Sequence, residues 1–190
     1  MSQSYHFKIV LLGPTYVGKS AISFRFTKNT FITAYDPTIE QTLSKTIEVD
    51  NKQIYLDIYD TAGSEQFRTL HELYIKEGDG FILVYAVNDS DSFNSVKDIY
   101  KDIVNITTSM NEGVTPLTLP PIIIAGNKCD LDDKVVATEE VQEFCNVCGC
   151  DFQEISAKHN KNISLVFETL ARRLVEQQGS VQKKVGCSIL

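Results

Sequence analysis

No apolar run in this sequence reaches the roughly 20 residues a membrane-spanning helix needs, so no span is expected. The opening stretch, MSQSYHFKIV, lacks a charged leader followed by an apolar core, so no secretory signal is expected either. Long basic runs are missing and the formal net charge is −7, a poor footprint for nucleic acid. Histidine occurs only at 6, 71 and 159. None is spaced to complete a metal site with Cys145, Cys148 and Cys150 of CNVCGC, which also lacks the second ligand pair of a zinc site. Val141, Phe144, Cys145 and Cys148 follow helical spacing instead, and the two cysteines read as small core residues. Five cysteines is an odd count, and a chain of 190 residues needs no covalent staples, so reduced thiols are expected. No internal repeat is visible.

What is present suits one globular domain: 43% hydrophobic and 23% charged residues. Three short apolar runs, Phe7 to Leu12, Phe81 to Val87 and Pro121 to Ala125, read as strands buried on both faces of a parallel sheet. Amphipathic stripes separate them. Phe93, Val96, Tyr100 and Ile103 follow the capping candidates Asp89 and Ser90. Thr138 is expected to cap the next helix, with Glu139 and Glu140 favourable in its first turn. Ile163, Val166, Phe167, Leu170 and Leu174 form a third stripe. Residues 45–59 read as an antiparallel hairpin turning at Asp50-Asn51-Lys52. The composition of residues 107–120 predicts a long surface loop. From about Gln177 the chain is polar and stripeless, and reads as a flexible tail. The expected architecture is an α/β domain over residues 1–177 with a mostly parallel sheet, followed by a tail over 178–190.

Gly13-Pro14-Thr15-Tyr16-Val17-Gly18-Lys19-Ser20 matches Gly-x4-Gly-Lys-Ser between a buried strand and a plausible helix, Ala21 to Lys28. Glycines let the backbone curl so that amides point at phosphate oxygens, and the helix N-terminus adds partial positive charge. The phosphate-facing segment is Gly13, Thr15, Tyr16, Val17, Gly18, Lys19, Ser20 and Ala21. Lys19 brings a point charge to the terminal phosphates, and Ser20 brings a hydroxyl to Mg²⁺. Residues 60–67, DTAGSEQF, follow the strand-like run Ile54 to Tyr59. Asp60, an acid at a strand end, reads either as a cap or as a metal ligand.

Asn127-Lys128-Cys129-Asp130 follows the buried run at 121–126, at the carboxyl end of a strand where such sheets bind ligands. Guanine presents two N–H donors on one edge, and the Asp130 carboxylate can accept both. Adenine lacks that pair, and a polar site left unpaired by the wrong base discriminates by about 10⁴-fold. Ser156-Ala157-Lys158 follows another short strand, Phe152 to Ile155, and can offer backbone amides to the base oxygen.

These motifs, with YDPTIE at Tyr35 to Glu40, stand in an order and spacing that resembles the small GTPases of the Ras superfamily over roughly residues 5–177. Within it, YDPTIE and the tail are similar to the Ras branch, which includes Ras-, Rap- and Rheb-like members. The resemblance implies a P-loop NTPase fold: a six-stranded mixed sheet, mostly parallel with one antiparallel hairpin strand, flanked by about five helices. It implies GTP and GDP with Mg²⁺ as ligands. Phe31 would pack on the guanine, with Tyr35 and Pro37 also beside the nucleotide. Thr38 would bind Mg²⁺ and touch the γ-phosphate, Asp60 would reach Mg²⁺ through water, and the Gly63 amide would contact the γ-phosphate. Lys19, Thr38, Gly63 and Ser64 would form the hydrolytic centre. Two segments, 33–41 and 61–75, would close on the γ-phosphate and loosen when it leaves. Effectors would bind through residues 33–44, with an exchange factor and an activating protein as further partners, and the chain would act as a monomer.

Three positions depart from the Ras pattern. The amide at Gln41 replaces an aspartate and cannot pair with a partner's arginine as a carboxylate does; the Rheb group also carries an amide there. Ser64 stands where the family usually has the glutamine that orients the attacking water, and serine is too short to span that distance. Thr15 replaces a common glycine and crowds the space for an arginine supplied in trans. Slow hydrolysis is expected, with a nucleotide-binding scaffold that does not cycle efficiently as the alternative. The chain ends Cys187-Ser188-Ile189-Leu190, a prenylation pattern that leans to geranylgeranyl. Attachment to the cytoplasmic face of a plasma membrane or endomembrane is expected, with part of the protein in the cytosol.

Overall fold

A computed structural model describes residues 4–31, 40–61, 68–113 and 118–186. The elements run β1 (Ser4–Leu12), α1 (Lys19–Lys28), β2 (Glu40–Val49), β3 (Lys52–Thr61), α2 (Arg68–Glu77), β4 (Gly80–Ala86), α3 (Ser90–Met110), β5 (Ile122–Asn127), α4 (Thr138–Cys148), β6 (Asp151–Glu154) and α5 (Ile163–Gly186). They form one six-stranded sheet in the order β2-β3-β1-β4-β5-β6. Only β2 and β3 pair antiparallel; the other neighbours are parallel.

The apolar runs are continuous because helices cover both faces of the sheet. In β1, Ile9 and Leu11 pack with α1 and α5, while Val10 and Leu12 join the cluster built with α2, α3 and α4. Every residue of β4 and β5 is buried. Phe26 of α1 stacks on Phe167 of α5 with ring centroids 3.7 Å apart and planes 7° off parallel, which fixes α1 against the sheet. The hairpin turns at Asp50 and Asn51, whose φ values are 51° and 59°. Two left-handed residues between paired strands make the mirror-image turn whose twist matches the strands, and short polar side chains tolerate it.

Several boundaries differ from the sequence expectation, each for a local reason. α1 begins at Lys19 rather than Ala21. Asp89, one of the two capping candidates, does cap α3 as expected, accepting from the amides of Asp91 and Ser92. The same helix runs on through residues 107–110, which the composition alone predicts as loop. There the Thr108 and Ser109 hydroxyls donate to the carbonyls of Val104 and Asn105, at 2.7 and 2.9 Å. Polar side chains satisfied within the helix do not end it. Ala137, not Thr138, is the N-cap of α4; Thr138 is its first residue, and its hydroxyl donates to Glu154 at 3.1 Å. Cys145 is buried, which pushes its thiol up to about 12. Cys148 is only half-buried, at the helix end before the left-handed Gly149. The α5 stripe is buried as read, yet the helical backbone continues past Gln177 to Gly186. Glutamine and lysine are good helix formers, so loss of the stripe does not itself stop the helix. Among the described residues, no helix is long and apolar enough to cross a membrane.

Candidate nucleotide and metal site

Parallel pairing brings the carboxyl ends of β1, β3, β4 and β5 to one edge of the sheet, where open α/β sheets bind ligands. From Leu12 the chain turns through Gly13–Gly18 into α1. Gly13 has φ 148°, and a Cβ there would lie 2.2 Å from the Val84 carbonyl oxygen of β4, so no side chain fits. Tyr16 takes a left-handed φ of 65° and leaves its ring 70% exposed. Gly18, at φ 96°, is the N-cap of α1 and makes no side-chain cap bond. The first turn of α1 also holds no acidic residue. The positive end of the helix therefore faces the loop without a side-chain carboxylate from its own first turn.

Lys19 crosses this loop from inside. It is 6% exposed, and its Nζ donates to the carbonyls of Gly13 and Pro14, both at 2.8 Å. Burial lowers its pKa to about 8, and the Asp60 charge opposes that shift.

Asp60 pairs with Leu11 in the β3–β1 ladder and so reaches the foot of the same loop. Its neighbour Thr61 locks the strand end, donating its hydroxyl to the Leu11 carbonyl at 2.7 Å. Asp60 itself is fully buried, and neither carboxylate oxygen makes a hydrogen bond of good geometry among the described residues, although the Ser20 hydroxyl stands near enough to favour its charged form. Burial raises its pKa; the Ser20 hydroxyl and then the Lys19 charge pull the other way. A buried carboxylate so sparsely hydrogen-bonded is costly unless a cation joins it. No group of three or more His, Cys, Asp or Glu residues is placed to hold a metal among the described residues. One carboxylate plus one hydroxyl suits a hard cation such as Mg²⁺, which keeps waters and phosphate oxygens as its other ligands. The residues present therefore fit that ion.

At the end of β5, Asn127 is 3% exposed and joins two loops. Its Nδ2 donates to the Val17 carbonyl at 2.8 Å, and its Oδ1 accepts from the Ala157 amide at 3.1 Å. The approach is close enough that a Cβ on Gly18 would stand 2.5 Å from Asn127 Nδ2. Lys128 turns with φ 67°, leading to Asp130. Burial raises the Asp130 pKa, but the Ser156 hydroxyl, its own amide, His159 and Lys158 together hold it below the usual carboxylate value. Ser156 is fully buried and accepts from the His159 amide at 3.0 Å, while Lys158 is exposed. Phe31 is half-buried against the core, with the Arg25 guanidinium 5.9 Å from its ring centroid.

The fold thus brings together Gly13, Thr15, Tyr16, Val17, Gly18, Lys19, Ser20, Ala21 and Asp60, and beside them Asn127, Lys128, Asp130, Ser156, Ala157 and Lys158. Tyr35, Pro37, Thr38, Gly63, Ser64 and Cys187 lie outside the described residues. Sequence reading missed Arg25, Thr61 and His159, which act here through partners distant in the chain: Ala157 and Lys158 for Arg25, Leu11 for Thr61 and Asp130 for His159. A family model described as Ras family matches residues 8–176.

Proposed function

The chain belongs to the Ras family of small GTPases, and from that premise we propose that it is a slowly hydrolysing switch, lipid-anchored at the cytoplasmic face of a membrane. Proteins of this family bind GTP and GDP, hydrolyse GTP, and meet exchange factors, activating proteins and effectors. The observation that carries the site assignment is the buried Asp60 carboxylate, without a hydrogen bond of good geometry among the described residues and beside Ser20 and Lys19. It supports the reading that Ser20 and Asp60, with Thr38, hold Mg²⁺. When bound, that ion neutralises charge on the phosphate oxygens.

In this reading the 13–21 loop cradles the phosphates, and Lys19 gives up its two carbonyl partners for phosphate oxygens. Asp130 accepts the two guanine N–H groups, and Phe31 covers the base. The segments 33–41 and 61–75, through Thr38 and the Gly63 amide, sense the third phosphate. The GTP form then presents residues 33–44 to effectors. Ser64 and Thr15 support the slow rate: one lacks the reach to orient water, and the other crowds an incoming arginine. Anchoring rests on Cys187, with only Lys183 and Lys184 as a basic patch; one lipid chain gives reversible binding.

Equilibrium binding of GTP with and without Mg²⁺, with ATP as competitor, tests this function. Binding that needs Mg²⁺ and resists excess ATP is the expected result. Equal competition by ATP would overturn the base assignment, and binding indifferent to Mg²⁺ would overturn the metal assignment.

A further inference from the structure

Arg25 lies on α1, one turn from its end, and makes three hydrogen bonds to three backbone carbonyls. Its Nε donates to Ala157 at 2.9 Å, Nη2 to Lys158 at 3.1 Å and Nη1 to Asn29 at 3.0 Å. Its guanidinium also stands 5.9 Å from the Phe31 ring centroid. One side chain therefore ties together the helix that starts at the phosphate loop, the segment leading to Phe31, and the loop that carries Ser156-Ala157-Lys158. A second bond runs alongside, from Asn160 Nδ2 to Asn29 Oδ1 at 3.4 Å.

The geometry has a directional consequence. In a planar trans peptide the carbonyl of one residue and the N–H of the next point opposite ways. Holding the Ala157 carbonyl fixes where the Lys158 amide points. The Ala157 amide is itself held by Asn127 Oδ1. Two consecutive peptide units of this loop are therefore aimed by two side chains, Asn127 from the sheet and Arg25 from α1. A guanidinium presents its donors in a rigid fork, whereas an ammonium at the same place is a single point of donation on a flexible stem.

We infer that Arg25 is a positioning residue that slows the release of guanine nucleotide by holding the 156–158 loop and the Phe31 segment in their base-receiving arrangement. The inference rests on the nucleotide reading above. Arg25 meets the base side of the site and makes no described bond to the phosphate loop, so it separates retention of the base from chemistry at the phosphates.

The test compares wild type with Arg25→Met, which keeps the apolar stem, and Arg25→Lys. Dissociation of a fluorescent GDP analogue is followed in Mg²⁺, along with single-turnover hydrolysis of prebound GTP. Amide hydrogen exchange is followed on the same proteins. Arg25→Met is expected to release GDP about tenfold faster, the effect of about 1.4 kcal/mol. Arg25→Lys is expected to fall between. Hydrolysis of prebound GTP should change by no more than about twofold, and faster exchange should concentrate at 156–161 and 29–31 rather than at 13–21. If wild type retains GDP and Arg25→Met releases it at the same rate, the positioning role is overturned while the nucleotide reading stands. Faster exchange throughout the chain, with hydrolysis and release altered together, also overturns it, since that is the signature of general destabilisation. A wild type that retains no GDP overturns the nucleotide reading and this role with it.

Discussion

The Asn127 side-chain amide donates to the Val17 carbonyl at 2.8 Å, joining the end of β5 to the middle of the phosphate loop. The other end of the same carboxamide accepts from Ala157. Removing it leaves a buried carbonyl and an amide unpaired. Asn127→Ala should lower stability by about 2 kcal/mol, within the usual range for such losses. GDP release should accelerate as both loops loosen. Chemical denaturation and nucleotide dissociation measured on one preparation check both effects.

Asp60→Asn should act in opposite directions on the free and the loaded protein. The raised pKa of Asp60 means that the folded state without metal holds a proton more tightly than the unfolded chain. Its contribution to stability is thus fully present below the ordinary carboxylate range and is lost as pH rises through the folded pKa. At neutral pH, in chelator and without nucleotide, the neutral amide should raise stability by about 1–3 kcal/mol, roughly the penalty of an unpaired buried group. The same substitution should abolish the Mg²⁺ dependence of GTP binding. Thermal unfolding with and without Mg²⁺ and nucleotide reads both.

Lys19 gives the opposite slope at higher pH. Its folded pKa of about 8 lies below the ordinary lysine value of 10.5, so the unfolded chain binds more protons between those values. Stability of the nucleotide-free protein should therefore rise through that window, by no more than about 3.4 kcal/mol at 1.36 kcal/mol per unit. The thiols of buried Cys145 and half-buried Cys150 act the other way above the ordinary cysteine range, because partial or full burial raises both to about 12. The difference between wild type and Lys19→Met isolates the lysine; a flat difference from pH 8 to 10 would contradict its desolvation.

Ser64→Gln should speed single-turnover GTP hydrolysis by on the order of tenfold, about 1.4 kcal/mol off the barrier. Thr15→Gly alone should change the intrinsic rate little and improve the response to an activating protein that supplies an arginine. A wild type already as fast as Ser64→Gln would show that another group positions the water.

Cys187→Ser should shift the protein from the membrane fraction to the cytosol, read by fractionation of cells expressing each form. Unchanged membrane association would contradict lipid anchoring at that position.

Much of this molecule was legible in its sequence because the informative signals are local. The strand-turn-helix around Gly13 to Ser20, the apolar runs of β1, β4 and β5, and the stripe of α5 each sit within one short window. Asn127 and Asp130 were found the same way, at a strand end. Helix ends were less legible: Thr108 and Ser109 look like loop residues until their hydroxyls are seen returning to their own helix. Thr138 looks like a cap, but its hydroxyl has a partner on β6 instead. Arg25 was not legible at all, since the carbonyls of Ala157 and Lys158 are over a hundred residues away in the chain. Its role follows from tertiary placement rather than from any spacing.

Hydrogen exchange of residues 33–41 and 61–75, compared between the GDP form and a form loaded with a non-hydrolysable GTP analogue in Mg²⁺, tests the switch most directly. Slower exchange in both segments with the analogue, and little change in β1, β4 and β5, is the predicted result. Equal exchange in the two nucleotide states would contradict it.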